Sequence, residues 1–183
     1  TQSVNTLFKI NNKIVGYNTD SAGFWDTIRK FYPQSNDPKM PLPLEGKSIL
    51  ILGAGGVTSS IILALKDEGA NNIILSNRTK EKANELKKIF PELEVLDWGK
   101  KPPICNIVIN TTSIGLIKDE EIKIDFSDYD KNLHKNLLFY DLIYNPKETN
   151  FLKKARLGGN KTMNGKMMFL NQAKYAFNIW TNI

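Results

Sequence analysis

An α/β fold built on a doubly wound parallel sheet is what this sequence predicts, and three observations predict it. An unbroken apolar run, ILIL at 49–52, enters a glycine turn, GAGGV at 53–57, and then a helical pattern with Ile61, Ile62, Ala64 and Leu65 that lasts to Gly69. Such a run suits a strand covered on both faces. From Gly46 onward strand and helix patterns alternate: KSILILG, the helix to Gly69, NIILS, a helix through Ala83, Leu86 and Ile89, then LEVL around Val95. That order is a βαβαβ unit, whose right-handed crossovers give a parallel sheet. Polar segments then follow the strands at Asn77-Arg78-Thr79 and at the glycine-bearing NTTSIG, 110–115. Open α/β sheets bind ligands beyond the carboxyl ends of their strands.

Each element can be taken in turn. In the glycine loop, Gly53 permits the tight turn and Gly55 lets the backbone approach a pyrophosphate held at the following helix N-terminus, the arrangement of a Rossmann-like sheet. Thr58 stands where a third Gly or Ala is usual. A short match of this kind also fits a merely tight strand-to-helix turn. The second strand, 71–76, narrows the choice, because it ends in Asn77, Arg78 and Thr79 with Lys82 one helical turn on. An NAD site carries an acid there for the ribose 2′-hydroxyl. A guanidinium instead pairs with a 2′-phosphate, which points to NADP. Lys80 and Lys82 also read as the basic first turn of a solvated helix.

Before the sheet, 4–10 and 14–17 read as a β-hairpin around the turn NNK, and Asn18, Thr19 and Asp20 as the cap of a helix through Phe24, Trp25, Ile28 and Phe31 that stops before Pro33. Residues 34–43 are a polar, proline-bearing linker. After the sheet's first half, 104–110 is a strand, 118–136 is charged and irregular with EIKIDFSDY as a short strand or lid, and 137–142 is a further strand. Thr149 caps a helix to Gly158. A last helix, KMMFLNQAKYAFNIW, has one stripe of Met168, Gln172, Tyr175 and Ile179 and another of Phe169, Ala173, Ala176 and Trp180, and wants more cover than one sheet face provides.

With 183 residues the chain can bury one good-sized core and a small appendage. It is 41% apolar and 24% charged, an ordinary globular composition. No apolar run approaches the roughly 20 residues of a membrane span. A single cysteine, Cys105, fits a reducing compartment and reads as a small buried apolar residue at a strand mouth, and with His134 the only histidine no zinc site is plausible. The net charge of +6 is spread along the chain, which suits a small polyanion better than nucleic acid. Trp25, Trp98 and Trp180 look placed for packing. Thr1 and the unpartnered hairpin read as the start of a fragment.

Several motifs in order, VNT, GYNTDSAGF, ILGAGGV, SNRT, INTTSIG, DLIYNP and NGKMMFLNQAKYAFNIW, give a resemblance to the shikimate dehydrogenase family that covers nearly all of the chain. The resemblance implies a remnant of a substrate-binding domain at 1–20, a connecting helix and linker at 21–45, an NADP-binding domain at 46–163 and, at 164–183, a helix returning to the substrate domain. It implies a cytoplasmic enzyme, monomer or homodimer, that reduces 3-dehydroshikimate to shikimate with NADPH. Asp20 is then the acid/base residue, and Asn5, Tyr144 and Gln172 join it around the substrate. Gly53, Ala54, Gly55, Gly56, Val57, Asn77, Arg78, Thr79, Lys82, Thr111, Thr112, Ser113, Gly165 and Met168 hold the dinucleotide. Many members have arginine where Lys82 stands, so the phosphate clamp is expected to be weaker. The family's catalytic lysine lies upstream of VNT, so this chain alone is expected to be inert or nearly so. A quinate/shikimate dehydrogenase and a non-catalytic nucleotide-binding module are the alternative readings.

Overall fold

The computed structural model describes residues 3–129 and 136–181; His134 lies outside them. The chain divides into two compact units. One comprises residues 46–55 and 70–165, the other the described parts of 1–45, 56–69 and 166–183.

The first unit is built on a sheet. Its strands are β3 (Ser48–Leu52), β4 (Asn72–Asn77), β5 (Glu94–Asp97), β6 (Ile107–Asn110), β7 (Leu138–Asp141) and β8 (Lys161–Asn164), in the order β5-β4-β3-β6-β7-β8. Every pairing is parallel. The chain starts in the middle at β3, winds outward through β4 and β5, and then outward the other way from β6. The direction reverses between β3 and β6, so their carboxyl ends flank the crevice where such sheets hold ligands. The apolar runs do what they predict: Ile49 to Leu52 and Ile107 to Ile109 are fully buried. Phe139 on β7 meets the rings of Phe126, Tyr129 and Phe151 at centroid distances of 5.4–5.6 Å. The segment EIKIDFSDY is neither strand nor lid: Ile122 and Tyr129 are buried, and Ile124 and Phe126 pack on the same core. Cys105 is buried as expected, and burial pushes its thiol pKa up.

Helix α3 is Lys80–Ile89 and α4 is Asn150–Leu157, where the Thr149 hydroxyl accepts the Leu152 N–H as the expected cap. Strand β8 is a correction. Its four residues, KTMN, have no apolar run to announce them, and they form only because β7 offers an open edge.

In the second unit, β1 (Thr6–Ile10) and β2 (Lys13–Tyr17) form the hairpin. Its turn has two residues rather than three: Asn11 and Asn12 take φ of 47° and 62°, a left-handed geometry asparagine tolerates, and Lys13 already pairs with Ile10. Helix α1 (Asp20–Ile28) ends a turn before Phe31. Of the three residues expected to cap it, Thr19 holds the N-cap position without a side-chain cap bond, and Asn18 supplies the side chain, its Oδ1 accepting the Asp20 N–H at 2.9 Å. Helix α2 (Thr58–Asp67) buries Ile61, Ile62, Ala64, Leu65 and the unusual Thr58. Helix α5 (Lys166–Thr181) crosses α1 at Gly23, where an added Cβ would lie 2.8 Å from Gln172 N and 2.9 Å from Met168 O. Arg29 binds the buried Glu68 at 3.0 Å and lies 3.3 Å over the Trp25 ring, so the charge that burial would penalise keeps its partner. Among the described residues no helix is long and apolar enough to cross a membrane.

Candidate functional site

The glycine corner belongs to the sheet unit as far as Gly55. Gly53 has φ of 109°, and a Cβ there would lie 2.7 Å from Thr111 Oγ1, so only glycine fits. Thr111 donates its hydroxyl to the carbonyls of Leu52 and Gly53 at 2.9 and 3.2 Å, which pins the turn to the end of β6. Asn77 braces the other side: its Oδ1 accepts the Ala54 N–H at 3.0 Å and its Nδ2 donates to the Thr79 carbonyl at 2.7 Å. At Gly55 and Gly56 a Cβ would meet nothing within 4 Å. The turn is therefore rigid where it joins the sheet and open where a ligand would lie.

Arg78 and Lys82 are exposed, and among the described residues neither side chain makes a hydrogen bond or ion pair. Lys80 is different, being tied to Asp97 at 2.5 Å. That contact also occupies the acid at the end of the neighbouring strand. Two uncommitted cations beside an open glycine corner fit a dinucleotide with an extra phosphate. Beyond β6, Ser113 is exposed while Thr112 turns its hydroxyl toward Asn110 at 2.7 Å. Tyr144, half exposed, lines a groove of about 370 Å³ with Thr112, Leu116 and Leu142. Gly165 is buried where a Cβ would strike the Leu142 carbonyl, so its backbone needs glycine for packing.

In the other unit, Val57 precedes α2 and Met168 is buried on α5. There the hairpin, α1 and α5 bring Asn5, Asp20 and Gln172 together. Asn5 Oδ1 accepts from the Thr19 N–H at 3.0 Å and from the Thr6 hydroxyl at 2.9 Å. Because a backbone N–H can only donate, the Asn5 amide is fixed with its NH2 outward. That group donates to Asp20 Oδ1 at 2.9 Å and to Gln172 Oε1 at 3.5 Å. Thr19, fully buried, also reaches Gln172 Oε1 at 3.3 Å. Burial pushes the Asp20 pKa up, and the hydrogen bonds to Asn5 and Asn18 pull against it.

Residues 38–146 match the family model described as shikimate / quinate 5-dehydrogenase. The chain belongs to that family. The shikimate dehydrogenase (NADP(+)) of Pelagibacter ubique is 50% identical over 182 residues, covering 100% of this chain and 63% of that protein. The Aquifex aeolicus shikimate dehydrogenase crystal structure superposes with a TM-score of 0.81 at 38% identity, over 99% of this chain and 62% of that one. A Thermus thermophilus shikimate 5-dehydrogenase in complex with NADP(H) and shikimate gives 0.78 at 27% identity, over 99% and 63%. The chain thus spans about 63% of the length of these family members.

Two further residues, Thr6 and Asp141, are not singled out by the sequence. Thr6 stands beside Asn5 and orients it, and Asp141 meets Asn110 across the ends of β6 and β7. Thr19 and Asn110 read in the sequence only as a helix cap and a loop residue, because their contacts to Asn5, Gln172 and Asp141 join stretches far apart in the chain.

Proposed function

We propose that this chain carries the dinucleotide site and the acid/base carboxylate of an NADP-dependent shikimate dehydrogenase, a CH–OH oxidoreductase interconverting 3-dehydroshikimate and shikimate. The observation that carries this reading is the convergence of Asn5, Asp20 and Gln172 from three separate stretches of the chain. Gly53 to Val57, Asn77 to Thr79, Lys82, Thr111 to Ser113, Gly165 and Met168 are assigned to the cofactor, and Tyr144 to the substrate with the convergent three. When bound, NADP supplies the hydride acceptor and donor.

The chain's own residues manage binding and protons. Arg78 would hold the 2′-phosphate, for which its guanidinium offers paired donors, and Lys82 would add a point charge. Gln172 Oε1 faces Asn5 and Thr19, which leaves its NH2 to donate to a substrate hydroxyl. Reduction of a ketone leaves an alkoxide oxygen that must gain a proton, and oxidation of the alcohol must lose one. Asp20, held in place by Asn5, is the acid/base partner in that exchange. Among the described residues no lysine or arginine pairs with Asp20, so the chain alone turns shikimate over negligibly.

Fluorescence titration with NADPH and NADH tests the reading. NADPH binds at least about tenfold more tightly, and Arg78→Ala erases most of the difference. Equal affinities in the unaltered chain, or shikimate oxidation at an ordinary enzymatic rate by this polypeptide alone, would overturn it.

A further inference from the structure

The carboxyl ends of β6 and β7 hold a buried polar cluster that the proton and hydride chemistry leaves unused. Asn110 and Asp141 are register partners and both are fully buried. Three donors converge on the Asp141 carboxylate. Asn110 Nδ2 and the Ile143 N–H each reach Oδ1 at 3.0 Å, and the Thr149 hydroxyl reaches Oδ2 at 2.6 Å. A charge removed from water this completely is retained only when its lone pairs are filled.

Asn110 spends the rest of its amide on the loop that follows it. Its Oδ1 accepts from the Thr112 N–H at 3.0 Å and the Thr112 hydroxyl at 2.7 Å, and its Nδ2 also donates to the Ile114 carbonyl at 3.2 Å. The Thr112 hydroxyl in turn accepts the Ile114 N–H at 3.1 Å. The shape of 110–114 therefore hangs on which way the Asn110 amide faces. Within the loop the Thr112 N–H and the Ile114 carbonyl favour one orientation, and Asp141 holds it from outside the loop, because an ionised carboxylate only accepts and so ties the Asn110 NH2 to β7 with its oxygen toward Thr112.

A doubly wound sheet consists of two mononucleotide-binding halves. Arg78, at the end of β4, belongs to the half that takes the adenosine 2′-phosphate. The 110–114 loop, at the end of β6, belongs to the half that takes the nicotinamide mononucleotide. We infer that Asp141 is a positioning residue for that second half: through Asn110 it sets the loop against which the nicotinamide mononucleotide binds. This rests on the dinucleotide reading of the glycine corner.

Asp141→Asn places an amide NH2 among three donors and cannot accept from all of them. The test compares two ligands, NADP and adenosine 2′,5′-bisphosphate, the second of which engages only the Arg78 half. In Asp141→Asn the Kd for NADP rises about tenfold while that for adenosine 2′,5′-bisphosphate stays within about twofold. Asn110→Ala cuts the same link from the other side and gives the same split, so it carries the test if Asp141→Asn does not fold. Equal loss of both ligands signals general loosening and overturns the assignment, as does no change in either. An unaltered chain that binds neither ligand overturns the dinucleotide reading, and this inference with it.

Discussion

The sheet unit and the helix–hairpin unit spend their apolar residues differently. In the sheet, β3, β6 and β7 bury almost everything they carry, and three aromatic rings pack around Phe139, those of Phe126 and Tyr129 edge to face. In the other unit, every residue of β2 is exposed, Ile14 is 79% exposed, and α5 leaves Phe177 61% and Trp180 55% exposed. Apolar burial is the main favourable term in folding, and the cluster around Phe139, drawn wholly from the sheet unit, supplies a large share of it there. The second unit buries Phe24 and Ile28 of α1 and Ile61, Ile62 and Leu65 of α2, while its hairpin and the outer face of α5 are held by a few close contacts, among them the Asn5 cluster and the crossing at Gly23.

The contrast is broken most directly by removing one ring from each unit. Phe139→Ala should cost about 4 kcal/mol, the range for emptying an aromatic site in a packed core. Phe177→Ala should stay within about 0.5 kcal/mol, as for other exposed positions. Urea unfolding of the two variants measures both. Similar costs would mean that α5 is as well buried as β7.

A smaller effect sharpens the electrostatic side. Burial pushes the Asp141 pKa from 3.8 to about 6, against the pull of Thr149, Ile143 and Asn110. Between those values the folded state holds a proton that the unfolded chain has released. The contribution to stability is therefore fully present below 3.8 and is lost as pH rises through about 6, by about 3 kcal/mol at most. Asp141→Asn should flatten that part of the pH–stability curve. Asp20 and Glu68, also raised, slope the same way, and the lowered Asp97, Asp125 and Glu148 slope the opposite way. All five are common to both proteins, so the difference curve isolates Asp141; a difference curve without slope would place its folded pKa near the ordinary value.

What could be read from the sequence divides along the same line. Periodicity and apolar runs located β3, β4, β6 and β7 because a strand buried on both faces must be apolar whatever its neighbours are. Their ends were less legible. Residues 104–106 fall outside β6 because the Asn106 side chain binds the Ser48 N–H, a contact 58 residues away in sequence. Strand β8 was invisible because KTMN is a strand only by virtue of β7. Arg78 was legible as a cation at a strand end. That it is uncommitted while Lys80 is not depends on Asp97, which arrives on another strand. Asp20 stood in a recognisable motif, but the amide that orients it required three chain segments to meet.

The Gly23 crossing gives the smallest and most local test. Alanine is the better helix former by up to about 1 kcal/mol, so on propensity alone Gly23→Ala would stabilise α1. The added methyl, however, would lie 2.8–2.9 Å from Gln172 N, Gln172 Cβ and Met168 O, most of it backbone that cannot turn aside. Overpacking of that kind costs about 1–3 kcal/mol, and with rigid neighbours the upper end applies, leaving a net loss of about 2 kcal/mol. Because Gln172 is one of the atoms' owners, α5 must retreat with it, and its contact with Asn5 lengthens from 3.5 Å. Gly55→Ala is the matched control: its methyl meets nothing within 4 Å, so stability should hold within about 0.5 kcal/mol, while on the proposed dinucleotide reading ligand affinity falls. Thermal melts of the two variants separate a glycine kept for packing from a glycine kept for a ligand, and an unchanged melt for Gly23→Ala would show that α1 and α5 are not held at that crossing.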